Sequence, residues 1–234
     1  MQTITIAIDG FSSTGKSTVA KQLAEALKYV YVDSGAMYRA VTLYAMQQKF
    51  IVAESFDEDG LINALDNVLI SFKYNEEKGF AEVYLNGENV EKEIRTLEVS
   101  NYVSTVSTVP EVRRKLVEQQ QEMGANKGVV MDGRDIGTVV FPDAELKIFM
   151  TASAETRALR RYRELLDRGD DIEYEDVLQN VVSRDYIDST REDSPLVKAE
   201  DAIEFDNSNL SIEDQFERIL NMSRDIIGQK KSDS

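Results

Sequence analysis

Residues Gly10-Phe11-Ser12-Ser13-Thr14-Gly15-Lys16-Ser17 join an apolar run to an amphipathic one, and this junction restricts the possible folds more than any other stretch of the chain. Ahead of it, Thr3 to Ile8 is a short β-branched run closed by Asp9-Gly10, which predicts a buried strand. Behind it, Val19, Leu23 and Leu27 recur at i, i+4 and i+8, which predicts a helix from Ser17 to Leu27. A strand that turns through glycines into a helix start gathers inward-facing backbone amides at the positive end of the helix dipole, so the turn suits a phosphate. The octapeptide matches G-x-x-x-x-G-K-[ST] in full. In that pattern Lys16 reaches the β- and γ-phosphates and the Ser17 hydroxyl ligates Mg²⁺, so Gly10 to Thr18 is the candidate site for a nucleoside triphosphate.

The rest of the chain alternates in the same way. Tyr29 to Val32 reads as a second strand closed by Asp33-Ser34-Gly35, with a helix expected over Met37 to Gln47. Val68 to Tyr74 and Ala81 to Leu85 alternate on either side of turn residues, which predicts antiparallel strands. Pro110 to Met123 reads as a helix with Gly124 as its C-cap. Val129 to Met131, Leu146 to Met150 and Ala202 to Phe205 are further apolar runs separated by helical patterns. Ser211 with Asp214 predicts the cap of a final helix. Strands alternating with helices imply a parallel sheet covered on both faces, a three-layer α/β fold. The expected organisation is a single unit over 1–234. Its core takes about 1–62, 94–156 and 192–228, with a small antiparallel insert at about 63–93, a helical lid at about 157–191 and a frayed tail at 229–234.

Composition removes whole classes of chemistry. Histidine and cysteine are absent, which excludes Ser-His-Asp hydrolysis, thiolate nucleophiles, disulfides and Cys/His zinc sites. With 27 Lys+Arg against 43 Asp+Glu, the net charge of −16 argues against nucleic-acid or membrane-surface partners. The opening MQTITIAIDG has neither a basic segment nor a long apolar core, so no signal peptide is expected and the cytoplasm is the expected compartment. Positive charge is concentrated instead. Arg157, Arg160, Arg161, Arg163, Arg168, Arg184 and Arg191 fall in one lysine-free stretch, and guanidinium forks suit phosphates.

The triphosphate's fate can be narrowed from the same residues. Asn126-Lys127 is followed by Gly128-Val129, so the guanine clamp N-K-x-D of a GTPase fails there, and Asp132 is followed by Gly-Arg-Asp, so the D-x-x-G switch fails at Asp132. A small-molecule kinase is the natural class at this length. A phosphate monoester acceptor needs no base, because its second pKa is about 6, and this fits a chain without histidine better than an alcohol acceptor does. Two rivals stay open: a kinase for another monophosphate such as UMP or AMP, and a nucleotide-binding regulatory module that transfers nothing.

Three further blocks bring in a resemblance. Asp33-Ser34-Gly35-Ala36-Met37-Tyr38-Arg39, then Asp132-Gly133-Arg134-Asp135-Ile136-Gly137-Thr138-Val139-Val140-Phe141-Pro142, then Arg184-Asp185 through Asp188 and Arg191 to Pro195-Leu196 stand in an order and spacing similar to bacterial cytidylate (CMP) kinases of the long form. These are P-loop nucleoside monophosphate kinases. The resemblance runs from about residue 3 to about 220 and implies a P-loop NTPase fold, an Arg-rich helical lid, a nucleotide-binding insert, and a monomer that uses ATP and Mg²⁺ to phosphorylate CMP and dCMP. It puts the CMP phosphate against Arg39, Arg134 and Arg191, with Ser34 and Tyr38 lining the same site. Cytosine falls to Ser104, Arg113 and Asp135, and the sugar to Arg184 and Asp188. Arg157 and Arg161 resemble the lid-base pair that meets ATP. Lys16, Arg134, Arg161 and Arg191 are then the catalytic cations, and Ser17 with Asp132 the metal ligands. On residue chemistry alone, Asp33-Ser34-Gly35 also reads as a strand-exit turn, Asp188 as a surface acid pairing Arg184, and Asp132 as a structural acid. Arg160, Arg163 and Arg168 are left as lid surface.

Overall fold

A computed structural model describes residues 3–53, 55–77 and 79–232. It separates into two compact units, one built from the residues up to Asp33 and from Gln120 onward, the other from Ser34–Gln119.

The first unit holds a five-stranded parallel sheet. Its strands are β1 (Thr5–Gly10), β2 (Val30–Asp33), β8 (Val129–Gly133), β9 (Leu146–Thr151) and β10 (Ile203–Asp206), in the order β10-β9-β1-β8-β2. β1 runs two residues past the apolar run that announced it, because its pairing with β9 continues to Gly10 opposite Met150. Ile4, Ile6 and Ile8 pack one face of the sheet against Val19 and Leu23 of α1 (Lys16–Leu27) and Ile219 and Leu220 of α8 (Ile212–Ser232). The predicted periodicity of α1 is thus the face it buries. α8 starts at the expected cap: the Ser211 hydroxyl accepts from the Asp214 amide at 3.0 Å and donates to its carboxylate at 2.8 Å. The helix then continues to Ser232, through the polar stretch read as frayed. α6 (Ala154–Asp167) and α7 (Tyr174–Thr190) form a helical hairpin whose turn contains Gly169 at φ +89°.

The second unit opens with α2 (Ser34–Gln47), which begins directly where β2 ends, three residues before the predicted start. It continues through the short strands β3 (Ile51–Val52) and β4 (Ser55–Phe56) and the helix α3 (Glu58–Ala64). The predicted antiparallel pair is β5 (Ile70–Asn75) with β6 (Phe80–Leu85), extended by β7 (Glu88–Asn89), whose two exposed polar residues give no alternation to read. α4 (Leu97–Val106) and α5 (Pro110–Gly124) follow, α5 running past the unit's last residue. Gly124 is the last helical residue of α5, not a left-handed cap; the positive φ values fall at Lys127 and Gly128. Its lack of a side chain has another cause, since a Cβ there would stand 2.2 Å from the Phe141 ring. No helix among the described residues is long and apolar enough to cross a membrane.

At Gly10 the sheet itself forbids a side chain. A Cβ would lie 2.1 Å from the Met150 carbonyl oxygen, whereas at Gly79 (φ +71°) nothing lies within 4 Å. Gly10→Ala is therefore expected to cost about 3 kcal/mol of unfolding free energy, as an overpacking clash against backbone that cannot give way. Gly79→Ala should cost only about 1 kcal/mol for its left-handed φ. Urea titration of the two variants checks the difference.

Candidate functional site

In an open parallel sheet, ligands sit beyond the carboxyl ends of the strands where the strand order reverses. Here β1 is central, and the chain leaves it toward β2 on one side but returns through β8 to β9 on the other. The loops after β1, β8, β9 and β10 all carry the residues considered next.

The loop after β1 winds through left-handed conformations at Ser13 (φ 60°) and Gly15 (φ 93°) before α1 begins at Lys16. The Lys16 ammonium is buried and donates to the Phe11 carbonyl at 2.7 Å. Burial, followed by the nearby Arg134, pushes its pKa down to about 7. The Ser17 hydroxyl donates to Asp132 Oδ2 at 2.9 Å, and Tyr31 donates to Asp132 Oδ1 at 2.8 Å. Burial and the neighbouring Asp33 push the Asp132 carboxyl up to about 6. A carboxylate so disfavoured as an anion, beside a hydroxyl, is a hard-oxygen pair that a divalent cation would relieve. Among the described residues no group of three acidic side chains gathers to cage a metal. Mg²⁺ suits such a site, since it is held by one or two carboxylates together with waters and substrate phosphates.

The end of β1 is tied to the loop after β8. Asp9 accepts from the Ile136 amide at 2.8 Å and the Gly137 amide at 2.7 Å, at the start of a π-helical turn over Ile136–Val140. Burial pushes the Asp9 carboxyl up to about 7 in spite of those two donors. The same loop presents Arg134 and Asp135. Arg134 Nε donates to Asp188 at 2.8 Å, and Arg191 lies 4.0 Å from Asp135 while donating to the Ser194 carbonyl. Arg184 is buried beside them, and burial, then Arg134, lowers its pKa to about 10. Burial raises the Asp188 carboxyl, but Arg134 and Arg184 outweigh it and hold it below the usual range. Arg134, partly exposed, joins the buried Asp135, Arg184, Asp188 and Arg191 in one cluster, and Asp188 is no surface acid.

The loop after β9 leads into α6. Arg157 forks onto Asp185 of α7 at 2.9 and 2.6 Å, donates to the Ala152 and Ser12 carbonyls, and lies over the Phe11 ring at 5.1 Å. Arg161, one turn on, pairs with Glu164 at 2.9 Å. Arg163 and Arg168 are exposed as expected, but Arg160 is not simply lid surface: it reaches the Thr14 carbonyl of the β1 loop at 3.3 Å and Asn207 after β10 at 3.1 Å.

The second unit holds the remaining candidates. Arg39 on α2 donates to the Ile94 carbonyl at 3.4 Å. Arg113, buried on α5, donates to the Ser107 carbonyl at 3.3 Å and lies 5.6 Å from the Tyr38 ring centre, while Ser107 caps back onto the Ser104 carbonyl at 2.7 Å. Ser34 and Ser104 are buried. Sequence reading missed Asp9, Tyr31, Arg160 and Asn207. Asp9 carried a usable signal, as a lone acid ending an otherwise apolar strand; Asn207 and Tyr31 carried none, since their partners lie far along the chain.

Arg157 is 4% and Asp185 20% exposed at the side chain, so removing the acid strands a nearly buried guanidinium. Asp185→Ala is expected to cost about 3 kcal/mol of stability, the range for breaking one partner of a buried pair. Denaturant unfolding of Asp185→Ala reads it out beside Glu204→Ala, which breaks the exposed pair that Glu204 makes with Lys198 at 3.2 Å and should stay within about 0.5 kcal/mol.

Comparison with known proteins places this arrangement. A family model described as cytidylate kinase matches residues 6–225. A cytidylate kinase of Flavobacterium johnsoniae is 69% identical over 227 residues, covering 97% of this chain and 99% of its own. One from Flavobacterium psychrophilum is 63% identical over 226 residues, covering 97% and 100%. Among solved structures, a gluconokinase from Sinorhizobium meliloti 1021 superposes with a TM-score of 0.50 at 12% identity, covering 98% of this chain and 97% of that one, a likeness of fold alone. With the phosphate loop, the Arg134–Asp135 loop and the Arg184–Arg191 helix end all inside the matched span, the chain belongs to the cytidylate kinase family.

Proposed function

We propose that this chain transfers the γ-phosphoryl group of ATP to CMP, and to dCMP, giving CDP or dCDP and ADP. The observation that carries the reading is the arginine cluster of Arg134, on the loop after β8, with the buried Arg184 and Arg191 at the end of α7, joined through the Arg134–Asp188 pair. Arg184 and Arg191, held out of water, and Arg134 beside them suit a ligand that brings its own negative charge. A nucleoside monophosphate does so, and as a dianion it attacks without a general base. That agrees with a chain lacking histidine.

In this reading Gly10 to Thr18 wraps the ATP phosphates, Arg157 and Arg161 meet ATP from the lid, and Lys16, Arg134, Arg161 and Arg191 stabilise the charge spread over the transferring group. Ser17 and Asp132 would hold Mg²⁺, which when bound neutralises phosphate charge. Ser34, Tyr38 and Arg39 serve the CMP phosphate, Ser104, Arg113 and Asp135 the cytosine, and Arg184 and Asp188 the sugar. Asp135 can accept from the cytosine 4-amino group, which uracil lacks. The protein acts as a monomer in the cytoplasm, with nucleotides rather than nucleic acid or membranes as partners.

Initial rates with ATP·Mg²⁺ and CMP, dCMP, UMP, AMP or GMP test the reading. CMP and dCMP should lead the panel, with CDP formed in step with ADP. Lys16→Ala should abolish transfer to every acceptor. Asp135→Ala should lower kcat/KM for CMP by about 10- to 100-fold, the worth of a hydrogen bond to a charged group, and change UMP far less. Equal losses on both bases, or ADP release without CDP, would sink it.

The hairpin of α6 and α7 is the lid. Its base is pinned by Arg157–Asp185, while 168–173 at its turn is largely exposed. Hydrogen exchange with and without a bisubstrate analogue should give increased protection across 157–191 when both nucleotide sites fill. Identical protection in the two states would leave a rigid hairpin.

A further inference from the structure

Asn207, in the loop after β10, is fully buried, and its side chain is spent on the phosphate loop. Its Nδ2 donates to the Thr14 carbonyl at 2.6 Å and to Gln215 Oε1 at 2.8 Å. Its Oδ1 accepts from Arg160 at 3.1 Å, its own carbonyl accepts from the same guanidinium at 3.0 Å, and its amide donates to the Thr151 carbonyl at 3.0 Å. The orientation of the carboxamide is fixed by these partners. An arginine can only donate, so the atom facing Arg160 is the oxygen and the atom facing Thr14 is the nitrogen. Gln215 is itself buried and oriented, its Nε2 donating to the Leu210 carbonyl at 3.1 Å. Arg160 adds a second donor to the Thr14 carbonyl at 3.3 Å.

What this does follows from peptide geometry. The Thr14–Gly15 peptide is trans, so its C=O and N–H point in opposite directions. Drawing the Thr14 oxygen toward Asn207 turns the Gly15 N–H the other way. Gly15 has φ 93°, and since glycine adopts φ of either sign about equally readily, its own backbone preference does not fix the peptide before it. Left alone, that peptide can rotate at small cost and present an oxygen where a phosphate needs a donor.

We propose that Asn207 is a positioning residue for the phosphoryl donor: by holding the Thr14 carbonyl it aims the Gly15 amide into the phosphate loop, and through Arg160 it ties that peptide to the helix that begins the lid. The assignment rests on the loop being the ATP site. Nothing in it requires Asn207 to touch nucleotide.

The test separates donor from acceptor. Asn207→Ala, the near-isosteric Asn207→Asp, and Arg160→Met are compared with the unaltered protein by steady-state kinetics and by equilibrium binding of a fluorescent ATP analogue without CMP. Asn207→Ala and Asn207→Asp should raise the KM for ATP and the analogue's Kd by tenfold or more and lower kcat, while the KM for CMP at saturating ATP moves less than twofold. Asn207→Asp should be no better than Ala despite its shape, because a carboxylate oxygen then faces a carbonyl oxygen. Arg160→Met should shift the ATP KM the same way by threefold or more, and it carries the test alone if the Asn207 variants do not fold. Variants that lose thermal stability yet bind the ATP analogue as the unaltered protein does would overturn the proposal and leave Asn207 as packing. Failure of the unaltered protein to bind the analogue would overturn the functional reading itself.

Discussion

β1 sits between β8 and β9 so closely that the residue ending it has no room for a Cβ, and the edge of the molecule where chemistry gathers depends on that fit. A central parallel strand is bonded on both sides and covered on both faces, so it cannot drift. Whatever leaves its end leaves from a fixed point. The loop from Gly10 to Gly15 starts there, and Lys16 is delivered into a buried position by the helix that follows. Ser17, one residue on, meets Asp132 because β8 is bonded beside β1 with Ile8 opposite Asp132.

The electrostatics are set by contrast. A chain carrying −16 overall still withdraws Lys16, Arg113, Arg157, Arg161, Arg184 and Arg191 from solvent. Burial, then the neighbouring Arg134, lowers the pKa of both Lys16 and Arg184. An anionic ligand with several oxygens would favour their charged forms, so these buried cations agree with the proposed reaction.

Much of this was legible in the sequence because it is local. The G-x-x-x-x-G-K-S loop announces its own neighbours, the spacing of Val19, Leu23 and Leu27 is the buried stripe of α1, and the alternation at 70–85 is a real antiparallel pair. The stretch read as a helical lid holds most of α6, α7 and the turn between them. What stayed hidden is what the fold joins from afar. Arg160 looked like surface because its partners, Thr14 and Asn207, are distant in sequence. Gly124 looked like a cap because nothing local announces the Phe141 ring that fills its side-chain space. Tyr31 gave no sign of its hydroxyl's target until β2 was seen beside β8. Outside the phosphate loop, the proposed binding roles come from resemblance, not from spacing.

Asp9 has a consequence for how the protein can vary. It is the last residue but one of the strand that launches the phosphate loop, and its two oxygens are taken by the Ile136 and Gly137 amides of the loop bearing Arg134 and Asp135. The two loops are therefore joined through a pair of short, buried bonds. A family built this way cannot tune its two loops separately. Substitutions that reshape one must be matched in the other, so divergence here should come as correlated changes around a fixed acid rather than as independent drift on either side.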